Sequence, residues 1–272
     1  MTTRVAIVGG TGKLGGIIRD VVDAEPGFEI VASLSSRSDL SELAGSDLVV
    51  DASTPAISID VVRAAVERGI NVLVGTSGWS AERIALVRPL VEAAGTGVLF
   101  IPNFSIGSVL GSALAALAAP FFPSIEIVEA HRETKVDSPS GTAVRTAELI
   151  AAARGAVGPV ESPHVDQRAR GQQVASVPIH SLRRPGVVAR QETILSGAGE
   201  SLTIVHDTVD PAPAYGAGIR LALSAARDVR GVQVGLDSLI DLGIRIPGSR
   251  TSGERPVPEG DVPGQVARAT SA

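Results

Sequence analysis

No cysteine occurs among the 272 residues, which excludes disulfide staples, thiolate nucleophiles and cysteine-bound zinc. Such a chain suits a reducing compartment, and the cytoplasm is its expected location. No metal site is expected either. Aromatic side chains make up 3% and histidines number four, so any that fall in a motif stand out. No run of lysine and arginine able to displace counterions is present, and the formal net charge is −5, so a nucleic-acid surface is not expected. No apolar run reaches membrane-spanning length, and Arg4-Val-Ala-Ile-Val is too short for a signal peptide. What is present is 44% hydrophobic residues over a length that can bury one large core or two modest ones, and two domains are expected.

The first segment reads as strand, glycine turn and helix: RVAIV, then Gly9-Gly10-Thr11-Gly12-Lys13-Leu14-Gly15, then apolar residues at Ile17, Ile18, Val21 and Val22. Glycines at this spacing let backbone approach a pyrophosphate and seat it on a helix N-terminus. Alone, the triplet is no more than a tight turn; directly after a β-branched run near the start of the chain, it points to a dinucleotide. The next strand, Phe28–Leu34, ends in Ser35-Ser36-Arg37. No carboxylate stands there to repel a 2′-phosphate, and Arg37 with Lys13 can attract one, so NADPH is the expected cofactor, with NADH as the alternative.

Strands and helices then alternate: LVVDAS, a helix over Ile57–Arg68, NVLVGTS, a helix over Ala81–Ala93, and GVLFIPNFS. This alternation predicts parallel strands joined by right-handed crossovers. The strand tips at Asp51-Ala52-Ser53-Thr54, Gly75-Thr76-Ser77-Gly78 and Pro102-Asn103-Phe104 are expected to meet the cofactor, because open α/β sheets bind ligands at their carboxyl ends.

After Ile106 the pattern changes to a small-residue helix over Ser108–Ala118 and a break at Pro120–Pro123. Three strand candidates follow a loop over 154–170: QVASVPIHSL, VVARQETIL and ESLTIVHDTV. Turn-like separators predict an antiparallel meander, which joins the strand ending at His131 in a mixed sheet. The sheet's bare face requires a cover, and a second copy of itself is the expected one. A helix over Gly216–Arg227 and a short one near Leu236–Leu242 return to the first domain. The fold class is thus α/β: a Rossmann-type parallel-sheet dinucleotide-binding domain over 1–106 and 213–246, and an α+β domain with a mixed sheet over 107–212. The segment 247–272 is expected to be a disordered tail.

The densest chemistry lies in IVEAHRETKVDSPSGTA, Ile127 to Ala143. A strand delivers His131, Arg132 and Lys135 to its end, and Ser140-Gly141-Thr142 opens a helix. The free N–H groups of a helix start can hold a carboxylate or phosphate, which sets proton donors beside an anion site. Ser140 as a plain N-cap, and His131 as a strand-end histidine with a structural partner, are the bland alternatives. His164, His180 and His206 are read as structural.

Taken together, VAIVGGTGKLG, VVDAS, VGTSG, IPNFSIG, EAHRETKVDSPSGTA and IHSLRRPGVV resemble the 4-hydroxy-tetrahydrodipicolinate reductase family of diaminopimelate and lysine biosynthesis. The resemblance runs from Arg4 to about Leu242, and K-V-D-S-P-S-G-T-A is its specific part. It implies a homotetramer, a small dicarboxylate substrate, His131 as catalytic acid/base, Lys135 as second proton donor, and Gly141 and Thr142 on a substrate carboxylate. On the cofactor side it implies Gly9, Gly10, Thr11, Gly12, Lys13 and Leu14, then Gly75, Thr76 and Ser77, then Ile101, Pro102, Asn103 and Phe104. The chain departs from the family at Arg132, where a second histidine is usual, at Ser35, where an acid is usual, and at Ala52-Ser53 in place of Phe-Thr. Arg132 is therefore read as a partner for the second carboxylate, or as a solvated charge paired with Glu129 or Glu133. Two other readings stay open: a reductase of another imine or carbonyl acid, and a non-catalytic dinucleotide-binding protein, which has no need of His131 and Lys135 together.

Overall fold

The β-branched runs of the first hundred residues become β1 (Thr3–Val8), β2 (Phe28–Leu34), β3 (Leu48–Asp51), β4 (Asn71–Val74) and β5 (Gly97–Phe100) in a computed structural model that describes residues 1–241. The expected tail, Leu242 and the end of the expected return segment lie outside the described residues. Among those described, no helix is long and apolar enough to cross a membrane.

These strands are parallel throughout. Every residue of β3, β4 and β5 is buried, as expected of strands covered on both faces. On one face Ile7, Val50, Leu73 and Leu99 pack against α1 (Lys13–Ala24) and a late helix; on the other Val49, Val72 and Val98 pack against α2 (Ser58–Val66) and α3 (Ala81–Ala94). Strand order reverses between β1 and β3, which places a crevice at their carboxyl ends.

The second layer begins with α4 (Ile106–Ala118) and β6 (Ser124–His131), followed by α5 (Gly141–Ala153). Arg154, buried just past α5, donates to the carbonyls of Ala119, Phe122, Gly158 and Pro159, and so ties the proline break to the following loop. Then come β7 (Gln172–Val174), β8 (Val177–Arg183), β9 (Ala189–Gly197) and β10 (Glu200–Thr208). Ile125, Ile127, Val177, Ile179 and Leu195 face α4 and α5, forming the second core.

Two expectations for this sheet are corrected. QVASVPIHSL is not one strand: Ala175 and Ser176 take left-handed backbone at φ 49° and 71°, and the chain doubles back as the β7–β8 hairpin. Nor do the three candidates form a meander. β6 inserts between β9 and β8, antiparallel to the first and parallel to the second, giving the order β10-β9-β6-β8-β7. The β9–β10 hairpin and the mixed character of the sheet stand as expected.

The chain returns to the first sheet through α6 (Pro211–Asp228), whose Ile219, Ala222, Leu223 and Ala226 join the first core. Asn71 holds its C-terminal end, donating to the carbonyls of Ala226, Arg227 and Val229 while accepting from Gly97 N–H. A strand absent from the sequence reading, β11 (Gly231–Val234), then pairs parallel to β5 as the sixth strand. The expected helix near Leu236 is a single 3-10 turn, Leu236–Leu239.

Candidate active site

A cleft of about 490 Å³ opens where the carboxyl ends of the first sheet meet the end of β6. From the first sheet it is lined by Gly12, Lys13 and Leu14 after β1, Ala52 and Ser53 after β3, Gly75, Thr76 and Ser77 after β4, and Pro102, Asn103 and Phe104 after β5. From the second layer it receives His131, Arg132, Ser140 and Thr142.

The glycine turn requires its glycines. Gly9 has φ +86°, and a Cβ there would lie 2.4 Å from Ala52 O; a Cβ on Gly15 would lie 2.1 Å from Gly9 O. Gly12 is the N-cap of α1 and supplies no side-chain cap, so the first-turn N–H groups are open to an external anion. A backbone cradle of this kind at a helix N-terminus fits the pyrophosphate of a dinucleotide. Under the β3 tip, fully buried Asp51 accepts from Ser53 N–H at 3.0 Å and from the hydroxyls of Ser53 and Ser58, and Trp79 Nε1 donates to Ser58 at 2.8 Å.

On the opposite wall, alternation along β6 puts Ile125, Ile127, Glu129 and His131 on the face that meets the helices. His131 Nδ1 and Glu129 Oε2 are 2.6 Å apart, which leaves Nε2 as the ring nitrogen not engaged by that carboxylate. Arg183 Nη1 donates to both oxygens of Glu129, at 3.1 and 3.0 Å, and Ser140 N–H donates to Oε1 at 3.3 Å. Complete burial pushes the Glu129 carboxyl up, but the hydrogen bonds from His131 and Arg183 outweigh it and hold the pKa down at about 2. Ser140 Oγ caps α5 through Ala143 N–H, while the N–H groups of Gly141 and Thr142 have no partner among the described residues.

The two walls touch at Asn103, whose Nδ2 donates to Ser108 Oγ at 2.9 Å and to Thr142 Oγ1 at 3.2 Å. Thr146 donates to Thr142 O and in turn accepts from Gln191 Nε2, carrying the polar chain on to β9.

Several residues singled out in the sequence lie apart from the cleft lining. Lys135 Nζ is held by Asp137 at 2.7 and 2.8 Å and does not reach the cleft. Burial pushes the Asp137 carboxyl up, and the Lys135 ammonium more than reverses this, leaving it below the usual range. Gly9, Gly10 and Thr11 form the turn beneath the lining, Ile101 is 1% exposed in the core, and Gly141 sits just behind Ser140 and Thr142. Ser35 and Arg37 lie at the end of β2, with Arg37 exposed and its N–H donating to Ser35 Oγ. Arg132 pairs with neither Glu129 nor Glu133 among the described residues; its Nε donates to Thr134 Oγ1 at 3.1 Å while the residue lines the cleft.

The sequence reading passes over several contributors to this site, among them Glu129, His206, Gln191 and Tyr215. In the sequence, Glu129 reads only as a solvent partner for Arg132. His206, read as structural, lines the cleft with Nε2 3.1 Å from Ser105 Oγ, and burial pushes its pKa down, favouring the neutral ring. Gln191 and Tyr215 also line it, and burial raises the Tyr215 phenol. Period-2 alternation in β6 and β10 places Glu129 beside His131, and His206 on the helix-facing side; Tyr215 carries no comparable local signal.

Comparison with known proteins matches residues 3–104 to "Dihydrodipicolinate reductase, N-terminus" and residues 107–240 to "Dihydrodipicolinate reductase, C-terminus". The 4-hydroxy-tetrahydrodipicolinate reductase of Clavibacter michiganensis subsp. michiganensis is 57% identical over 280 residues, covering 100% of each chain. That of Clavibacter sepedonicus is 56% identical over 278 residues, again covering 100% of each. Among solved structures, a dipicolinate-bound dihydrodipicolinate reductase from Paenisporosarcina sp. TG-14 superposes with a TM-score of 0.73 at 28% identity, covering 88% of this chain and 100% of that one.

Proposed function

This chain belongs to the dihydrodipicolinate reductase family, and from that premise we propose how its cleft serves the reaction. The activity is the NAD(P)H-dependent reduction of 4-hydroxy-tetrahydrodipicolinate to tetrahydrodipicolinate with loss of water, a step in diaminopimelate and lysine biosynthesis. The observation that carries the site reading is one cleft whose first wall is a glycine-turn cradle and whose second bears His131 beside the open start of α5.

The nicotinamide cofactor, when bound, supplies the hydride. Gly9 to Leu14 would hold its pyrophosphate on the N-terminus of α1, and Gly75 to Ser77 with Pro102 to Phe104 would line its path towards β6, backed by Ile101 in the core. The substrate is a small dicarboxylate. One carboxylate sits on the N–H groups of Gly141 and Thr142, and the Arg132 guanidinium takes the other through two parallel hydrogen bonds. Once the 4-hydroxyl has left as water, a hydride received at C4 of the conjugated imine would send negative charge towards the ring nitrogen. His131, having taken up a proton from solvent at Nε2 to become imidazolium, stabilises that charge and delivers the balancing proton from Nε2. Lys135 is the second proton donor, and its Nζ leaves Asp137 to reach the substrate.

The cofactor preference is for NADPH, supported by Ser35, Ser36 and Arg37 in place of an acid after β2. Residues 107–212 form the substrate-binding and tetramerisation domain, set against 1–106 and the return segment from 213, and the compartment is the cytoplasm. Among the described residues nothing covers the outer face of the second sheet, where Leu182 is 43% and Val205 48% exposed, and a homotetramer buries it. The deciding experiment follows NADPH and NADH oxidation with freshly generated 4-hydroxy-tetrahydrodipicolinate, beside cofactor titration. Cofactor binding without turnover would overturn the catalytic reading; a monomer by light scattering at micromolar concentration would overturn the assembly.

A further inference from the structure

We infer that Glu129 is a positioning residue for the reduction. It fixes the imidazole of His131 as the Nδ1–H tautomer, so that Nε2 is the nitrogen presented to the substrate, and it ties that ring to the anion-binding start of α5. The inference rests on the reading of His131 as the acid and deepens it.

Three observations carry it. First, Glu129 is completely buried, and a buried carboxylate is retained only where its charge is met; here Arg183 meets it with two contacts from one nitrogen. Second, the 2.6 Å contact is to Nδ1 of His131, on the same face of the strand two residues away, so the carboxylate accepts the Nδ1 proton and fixes which nitrogen is left for chemistry. Third, Oε1 also accepts Ser140 N–H, the group immediately before Gly141 and Thr142. One carboxylate therefore spans the proposed proton donor and the proposed carboxylate seat, and fixes the distance between them.

Arg183 extends the same frame. Its Nε donates to Lys135 O at 3.3 Å and its Nη2 to Asp137 O at 2.6 Å, pinning the loop between His131 and α5 from beneath. An ionised Glu129 suits this role, since only the anion both accepts the imidazole proton and answers the guanidinium. A purely structural ion pair would be as well served by any orientation of His131. The short contact to Nδ1 separates the two cases.

The test begins with the unaltered protein. Long-range 1H–15N correlation of the neutral histidines, with His131 assigned by its absence in His131→Asn, should give Nδ1 the shift of a protonated nitrogen and Nε2 that of a bare one. A neutral ring with its proton on Nε2 and a bare Nδ1 overturns the inference whatever any variant does. In Glu129→Gln, turnover per cofactor-competent site, counted by stoichiometric NADPH binding, should fall about 10- to 100-fold, while the KM for NADPH stays within about twofold. The His131 signals should at the same time lose their Nδ1–H pattern. Turnover per competent site within about twofold of the parent would also overturn it. Counting only competent sites removes any loss due to misfolding. Full turnover in His131→Ala would instead overturn the acid assignment, leaving the tautomer measurement to judge Glu129 separately.

Discussion

The two walls of the cleft are built from different materials. The first-sheet wall is mostly backbone and small side chains, glycines, Ala52, Ser53, Thr76 and Ser77 on strand tips, beside Lys13, Leu14, Asn103 and Phe104, with an N-cap that offers no side chain. Behind the β6 wall charged side chains hold one another: His131, which lines the cleft, rests on Glu129 and Glu129 on Arg183, while Lys135 is held by Asp137 outside the lining. A backbone cradle serves a ligand that contributes its own charge and needs only oriented N–H groups. Proton transfer needs particular atoms at particular positions, so each side chain there has a partner to hold it. Truncating one side chain should therefore cost much on the β6 wall and little on the other.

The largest effect should come from His131→Ala, with kcat down about 10²- to 10⁴-fold and NADPH affinity retained, as stopped-flow turnover and fluorescence titration would measure. Lys135→Ala should also lose turnover. If the two residues act on one protonation event, the double variant should be little worse than the poorer single one. Undiminished turnover in Lys135→Ala would mean that its bond to Asp137 is its whole role.

Next in size is the acid response of the buried carboxylate. Glu129 titrates at about 2 in the fold against an ordinary 4.5, so its ionised form stabilises the native state above about pH 4.5, and that stabilisation is lost as pH falls towards about 2. On the order of 3 kcal/mol is at stake. In urea unfolding at stepped pH, the stability gap between the parent and Glu129→Gln should close across that window. A gap that stayed constant would show that the carboxylate is not the source.

Arg132→Ala should weaken competitive inhibition by pyridine-2,6-dicarboxylate by roughly 1.5–3 kcal/mol, with pyridine-2-carboxylate much less sensitive. Equal weakening of both would assign Arg132 to the general field of the site. The smallest effect belongs to the end of β2, beside the backbone wall. Arg37→Asp should shift preference from NADPH towards NADH and leave turnover at saturation unchanged, because Arg37 is exposed and apart from the cleft lining. Equal affinity for the two cofactors in the parent would remove Arg37 from the account.

Most of the first sheet was legible because parallel strands covered on both faces are written as short, continuous β-branched runs. LVVD, NVLV and GVLF could not easily be anything else once helical periods lay between them. β11 escaped notice because four residues carry too little pattern, and its pairing with β5 depends on α6 first returning. The β7–β8 hairpin escaped because Ala175 and Ser176 turn with left-handed backbone where glycine would have announced it. The cleft was half legible. Its glycine turn, strand tips and His131 are written in the chain, whereas Glu129 was passed over although it stands two residues before His131 on the same strand face.

The sequence by itself determined the period of each element, the glycines that only a close backbone approach explains, and which residues bring charge to the end of β6. These are local properties, settled by sterics and by burial of one face. Only the tertiary structure decided that β6 runs between β9 and β8, that Arg183 arrives from β8 beneath a carboxylate 54 residues earlier, and that Asn103 meets Thr142 across the cleft. Those pairings join segments far apart in the chain. Their free energy comes from desolvated charge and shared cores, which no short stretch of sequence contains.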